Sequence, residues 1–115
     1  MKNLEEIAKS LEIEIKEKKK MLKIIETDKI MRNLKISDVH ISVVENVATK
    51  TFYFQARPKV PYRNERCSRL MSKSLGSVVK TTPEKFIQKR NEAIILFKKK
   101  WLDIRNDFEI LKNNS

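Results

Sequence analysis

Tyr53, Gln55 and Arg57 stand at alternate positions in the segment TFYFQAR, residues 51–57. Alternate side chains of an extended strand share a face, so these three project together, opposite Phe52, Phe54 and Ala56. The chemistry of such a trio is recognition. A guanidinium pairs bidentately with guanine and a carboxamide with adenine, and a ribbon of two or three strands fits the major groove of duplex DNA. More cations follow: Lys59, Arg63 and Arg66 in and after a loop bracketed by Pro58 and Pro61, and then Lys73. These side chains suit phosphate contacts, which set orientation and carry no sequence information.

Catalytic and metal chemistry find little material. A zinc site wants three or four thiolate or imidazole ligands at short spacing, and the chain has one histidine, His40, and one cysteine, Cys67. Cys67 lies beside Arg66 and near Arg69, a setting that lowers a thiol pKa. No positioned base accompanies it, so it reads as a structural or surface thiol. One glycine, Gly76, cannot build a phosphate-cradling loop. Glu12, Glu14 and Glu17 have lysine partners on a helical segment and read as surface residues, not as an acid and base. Tyr53 or Tyr62 as a nucleophile would need the Arg and His set of a larger fold. The expectation is a non-enzymatic protein with no catalytic residues, metal or cofactor.

Charge points the same way. The chain of 115 residues carries 26 Lys and Arg against 15 Asp and Glu, a net charge of +11, which favours a polyanionic partner. Residues 35–82 hold nine basic and three acidic side chains, whereas residues 1–34 hold nine and seven and residues 83–115 hold eight and five. The middle is therefore the expected binding surface. A lone cysteine suits a reducing cytoplasm. Glu5, Glu6 and Lys9 interrupt any signal-peptide core, and no run of about 18 apolar residues exists to span a membrane. The expected location is cytoplasmic, with no membrane partner.

The elements that must position these groups follow from periodicity. Residues 3–33 read as a helix with Asn3 as its cap and Glu5 and Glu6 in its first turn. Leu4, Ile7, Leu11, Ile15, Leu22 and Ile25 form its apolar stripe, interrupted by Lys18. The run Lys18–Lys20 reads as a solvated face, with a phosphate contact as the alternative. Residues 38–45 alternate as a strand, with Val39, Ile41 and Val43 on one face and His40, Ser42 and Val44 on the other. Residues 46–50 form a hairpin loop, and 51–57 the second strand, its Phe52–Phe54–Ala56 face against the core. A third strand is expected at about 68–75, with Met71 and Leu75 inward and Arg69 and Lys73 forced to snorkel, or with a slipped register or a bulge. Thr82, Pro83 and Glu84 make a helix start. The helix runs to about Lys112, its seam formed by Ile87, Ile94, Phe97, Trp101, Ile104, Phe108 and Leu111, with Arg90 in the polar slot. A thirty-residue helix spans roughly 45 Å, more than a small sheet can cover. Its outer half needs a partner, either the N-terminal helix or a second copy of the chain. The fold class is therefore α+β: a coiled-coil-like helical arm over 1–34, then a three-stranded antiparallel sheet plus long helix over 35–115. Asn113–Ser115 read as a frayed end.

The stretch SLGSVVKTTPEKFIQKRNEAI, residues 74–94, resembles the small DNA-binding domains of the AP2-like and integrase arm-binding class. The matching features are Tyr53 and Phe54 in an aromatic second strand, Leu75-Gly76 closing the third, Thr82 and Glu84 opening the helix, and Arg90 and Ala93 within it. The likeness covers about residues 38–100. It implies a sheet laid in the major groove, read by Tyr53, Gln55, Arg57 and either Arg69 or Ser72. The chain departs from that pattern in its longer loop with two prolines, in Lys73 where an apolar residue belongs, and in its missing hairpin glycines. Integrases of this class carry a recombinase domain after the module and this sequence ends instead, so the resemblance implies DNA binding without strand cleavage.

The expected function is thus a DNA-binding accessory or regulatory protein of phage or mobile-element type, contacting duplex DNA, with a homodimer through its helices as a further expectation. An RNA-binding module and a protein-interaction adaptor acting through the helical seam are the alternatives.

Overall fold

In the computed structural model, which describes residues 3–112, seven main elements follow one another: α1 (Leu4–Arg32), β1 (Val39–Asn46), β2 (Thr51–Pro58), α2 (Glu65–Leu70), β3 (Lys73–Ser77), α3 (Pro83–Ile104) and α4 (Glu109–Lys112). Short 3-10 turns at Ile36–Asp38 and Arg105–Asp107 join them. The expected end at Asn113–Ser115 lies outside the described residues. The class is α+β as expected, with an antiparallel sheet in the order β1-β2-β3.

Local chemistry starts and stops these elements. Asn3 Oδ1 accepts the Glu6 N–H at 2.9 Å, and Thr82 Oγ1 accepts the Lys85 N–H at 3.3 Å, with Pro83 as the first helical residue. The β1–β2 hairpin lacks glycine. Asn46 Oδ1 instead accepts the Ala48 and Thr49 N–H groups, and Lys50 takes the left-handed conformation, φ 55°, that a tight reversal needs.

The third strand differs from expectation. Residues 65–70 are helical, and β3 begins only at Lys73. Asn64 caps this short helix through the Cys67 N–H at 2.8 Å. The helix buries Cys67 and carries Arg66 and Arg69 with it, off the sheet. Register shifts between Phe54 and Gln55, which pair with Gly76 and Ser74, so Leu75 is the extra residue of a bulge. The bulge keeps Leu75 in the core and turns Ser74 and Ser77 to the opposite face. Gly76 sits at φ 106°, and a Cβ there would collide with Thr81 Oγ1. Gly76→Ala should therefore lower stability by about 2 kcal/mol, combining left-handed strain with the clash; urea titration measures it. A loss below about 0.5 kcal/mol would mean that the bulge relaxes freely.

The last helix also differs. It ends at Ile104, a 3-10 turn follows, and Phe108 is extended. A straight helix would carry Phe108 and Leu111 past the core. The turn brings them back instead: Phe108 meets Tyr62 edge-on with centroids 5.3 Å apart and lies 6.0 Å from Trp101, and Leu111 is buried. Ala93, Phe97, Trp101 and Ile104 form the buried stripe of α3, while Ile87 of the expected seam is exposed.

The core has two parts joined by α3. Its first half covers the sheet face of Val39, Ile41, Phe54, Ala56 and Leu75, with Phe86 edge-on to Phe54 at 5.2 Å. Phe52, expected in the core, is half-exposed. The second half of α3 packs on the C-terminal third of α1 through Ile24, Thr27, Asp28 and Met31. The expected stripe of Leu4, Ile7, Leu11, Ile15 and Leu22 is not the packed face; all five are exposed. Here tertiary pairing overrides periodicity. Asp28 accepts hydrogen bonds from Trp101 Nε1 at 2.8 Å and Arg105 Nε at 3.1 Å, a pairing that the apolar spacing of the sequence does not reveal. The molecule is long, 68 × 35 × 21 Å, because α1 overhangs the body. Its radius of gyration of 18.7 Å exceeds the about 13 Å of a compact domain of this length.

Candidate nucleic-acid interface

The face of the sheet turned away from α3 is set by the ladder. His40 pairs with Arg57, Ser42 with Gln55 and Val44 with Tyr53, and Ser74 and Ser77 extend the row through β3. Tyr53, Gln55 and Arg57 thus share this face, as the alternation implies, and all three are half-buried. Gln55 Nε2 donates to Ser72 Oγ at 2.7 Å, which fixes the carboxamide. Tyr53, Gln55, Ser72, Ser74 and Ser77 line an open hollow of about 720 Å³ that Asn46 and Phe52 also border. The hollow offers hydroxyls, amides and the Tyr53 ring with Glu45 at its rim; it is polar, not basic. Ser42 Oγ and Arg57 Nε are buried on this face without a hydrogen-bond partner. Unpaired buried polar atoms are rare in folded proteins and call for a functional account.

The other expected cations are dispersed. Arg66 on α2 is ion-paired with Asp107. Arg69 is exposed on the same helix. Lys73 points to the α3 side of the sheet and approaches Glu92 at 3.5 Å. Lys59 Nζ reaches the Ser37 carbonyl at 3.4 Å. Arg63 donates to the Pro58 carbonyl at 3.1 Å, which holds it at the mouth of a crevice it lines with Arg57.

A second cationic cluster forms where two distant segments meet. Thr27 Oγ1, buried in α1, accepts the Tyr62 N–H at 3.0 Å, pinning the 58–64 loop onto the helix. This places Tyr62 and Arg63 beside Lys16, Lys19, Lys20 and Lys23, around an open hollow of about 390 Å³ with no acidic lining residue. Lys20 Nζ lies 6.0 Å from the Tyr62 ring centroid, at the limit of a cation–π contact. Sequence reading took part of this lysine run for a solvated face. The four lysines recur at spacings of three, one and three, which is one helical face, but the cations opposite them are visible only in the fold. Arg63 borders both the crevice it shares with Arg57 and the lysine hollow, so Arg63 stands between Arg57, near the end of the central strand, and the α1 lysines.

Cys67 is buried, and burial pushes its thiol above the usual value, outweighing the Asn64 hydrogen bonding and the charge of Arg66. The lowering expected from its arginine neighbours is therefore reversed. Native protein should react with a thiol reagent at least a hundredfold more slowly than unfolded protein; equal rates would place Cys67 at the surface.

Among the described residues, no three His, Cys, Asp or Glu side chains gather as a metal site, and no helix is long and apolar enough to cross a membrane. No family model, curated protein or solved structure matches this chain.

Proposed function

We propose that this chain is a non-enzymatic DNA-binding protein of accessory or regulatory type, as its resemblance to the AP2-like and integrase arm-binding class implies. The observation that carries the reading is the acid-free cluster of Lys16, Lys19, Lys20, Lys23 and Arg63, with Arg63 also lining a crevice beside Arg57, whose strand carries Tyr53 and Gln55 on the same face. The division of labour follows from chemistry. The lysines and Arg63 grip phosphates, while Gln55 and Arg57 meet base edges. Binding at the sheet would also give partners to Ser42 Oγ and Arg57 Nε.

One observation favours a second reading. Tyr53 borders a hydroxyl-lined hollow, a suitable surface for stacking an unpaired base of single-stranded DNA or RNA. Fluorescence anisotropy separates the two. Labelled random duplex, single-stranded DNA and structured RNA are titrated with protein between about 50 and 200 mM salt. Five or so phosphate contacts predict a log–log slope of about −4.5 on duplex DNA. Tighter binding to unpaired strands would favour the stacking reading. Absence of binding to every nucleic acid at low salt would end both and leave a protein-interaction adaptor.

A further inference from the structure

The outer part of α1 carries a surface that the chain itself does not cover. Every described residue before Ile24 is exposed, including Leu4 at 84%, Leu11 and Ile15 at 52% and Leu22 at 65%. In proteins most helical stability comes from packing of an amphipathic face, so an apolar stripe along this overhang calls for a partner helix. At about 100° per residue, the stripe lies about 170° around the helix from the body-facing residues Ile24, Thr27 and Met31. It therefore faces away from the body. The lysine face lies between the two, so covering the stripe leaves Lys16, Lys20 and Lys23 free.

The spacing is a strict alternation of four and three: Leu4, Ala8, Leu11, Ile15, Lys18, Leu22, the pattern of a coiled-coil seam. Charge selects what fits it. Residues 4–17 hold five glutamates and two lysines, whereas residues 18–32 hold six basic and two acidic side chains. The helix is acidic at one end and basic at the other, and such a helix matches a second copy of itself running the opposite way.

We infer that α1 forms an antiparallel two-helix seam with α1 of a second copy of this chain. The layers follow from the twofold relation: Leu4 over the other copy's Leu22, Ala8 over Lys18, and Leu11 over Ile15. The polar slot is accommodated, because the small Ala8 leaves room for the Lys18 stem to pass and its ammonium to reach solvent. Glu5 comes near the other copy's Lys19. A parallel pair would stack Lys18 on Lys18 and lay acidic half on acidic half. Central glutamates oppose each other in the antiparallel pair, which keeps the association modest.

Sedimentation equilibrium of the full chain tests this, because the dimer mass is twice 13.6 kDa. The wild-type protein should dimerise in the micromolar range. Leu11→Lys with Ile15→Lys should weaken the dimer at least a hundredfold while the Trp101 near-ultraviolet signal stays native. Orientation is read separately with Leu4→Cys and Leu22→Cys proteins, Cys67 being buried. Oxidation of their mixture should give the mixed disulfide, and each protein alone should give little. A monomer at several hundred micromolar, a dimer that survives the double substitution, or disulfides that form within each protein alone would each overturn the proposal. None of these readouts involves nucleic acid, so the result stands apart from the DNA-binding reading.

Discussion

Replacing Asp28 with alanine should remove about 3–5 kcal/mol of folding stability, the range for breaking a buried ion pair from one side. Asp28 is 8% exposed and Arg105 4%. The carboxylate accepts from Trp101 Nε1 and Arg105 Nε on one oxygen and from Arg105 Nη2 at 3.5 Å on the other. Arg32, one turn on, adds a contact at 3.2 Å. Without the carboxylate, a buried guanidinium keeps its charge and the indole N–H loses its acceptor. Against a total stability of about 5–15 kcal/mol, that loss brings the protein near unfolding. Asp28→Asn should be milder, because its amide oxygen still accepts from Trp101. Urea titration followed by tryptophan fluorescence measures both. Equal, small losses would mean that apolar contacts alone hold α1 to α3.

The same group sets acid sensitivity. Burial pushes the Asp28 pKa up, but the hydrogen bonds from Arg105 and Trp101 and the charges of Arg105 and Arg32 outweigh it and hold the carboxyl below its usual 3.8. A depressed folded-state value means that the stabilisation is fully present above about pH 4 and is lost as pH falls through the folded value. Asp28→Asn should flatten the acid limb of the stability curve below that point.

The second large effect concerns affinity. Replacing Lys19, Lys20 and Lys23 together with alanine should weaken duplex DNA binding several hundredfold at about 0.1 M salt, since each lost phosphate contact forgoes roughly eightfold through counterion release. The salt slope should become shallower by about 3. All three lysines are exposed and none makes an ion pair among the described residues, so stability should move by no more than about 0.5 kcal/mol. Gln55→Ala with Arg57→Ala should act differently. It should leave the slope nearly intact and remove about 1–3 kcal/mol of preference per recognised base. Unchanged affinity in the lysine variant would reject the cluster as the phosphate grip.

What the sequence made legible was local. Asn3, Thr82 and Pro83 cap their helices through contacts within three residues, and the alternation in β1 and β2 follows from a side-chain period of two. Where distant groups decide, sequence reading misleads. Asp28 and Thr27 look like surface residues of α1 until Arg105, Trp101 and Tyr62 are placed beside them. Residues 68–70 look like the start of a strand because apolar and basic residues intersperse, although Asn64-Glu65 carried the chemistry of a helix start. Asn106 and Asp107, poor helix formers, marked the break before Phe108, but the apolar spacing continued through them. The lysine cluster is only half visible in sequence, because its Arg63 wall depends on one hydrogen bond from Tyr62 to Thr27.

An unbroken α1 joins the body to the overhang, and a helix transmits rotation as well as distance. Inserting one residue between Lys9 and Glu14 turns everything outward of it by about 100° and advances it by only about 1.5 Å, disturbing no contact of the body. Inserting seven restores the angle to within about 20° while lengthening the arm by about 10 Å. The two insertions separate phase from reach, so whatever meets the outer stripe should tolerate the longer change better than the shorter one.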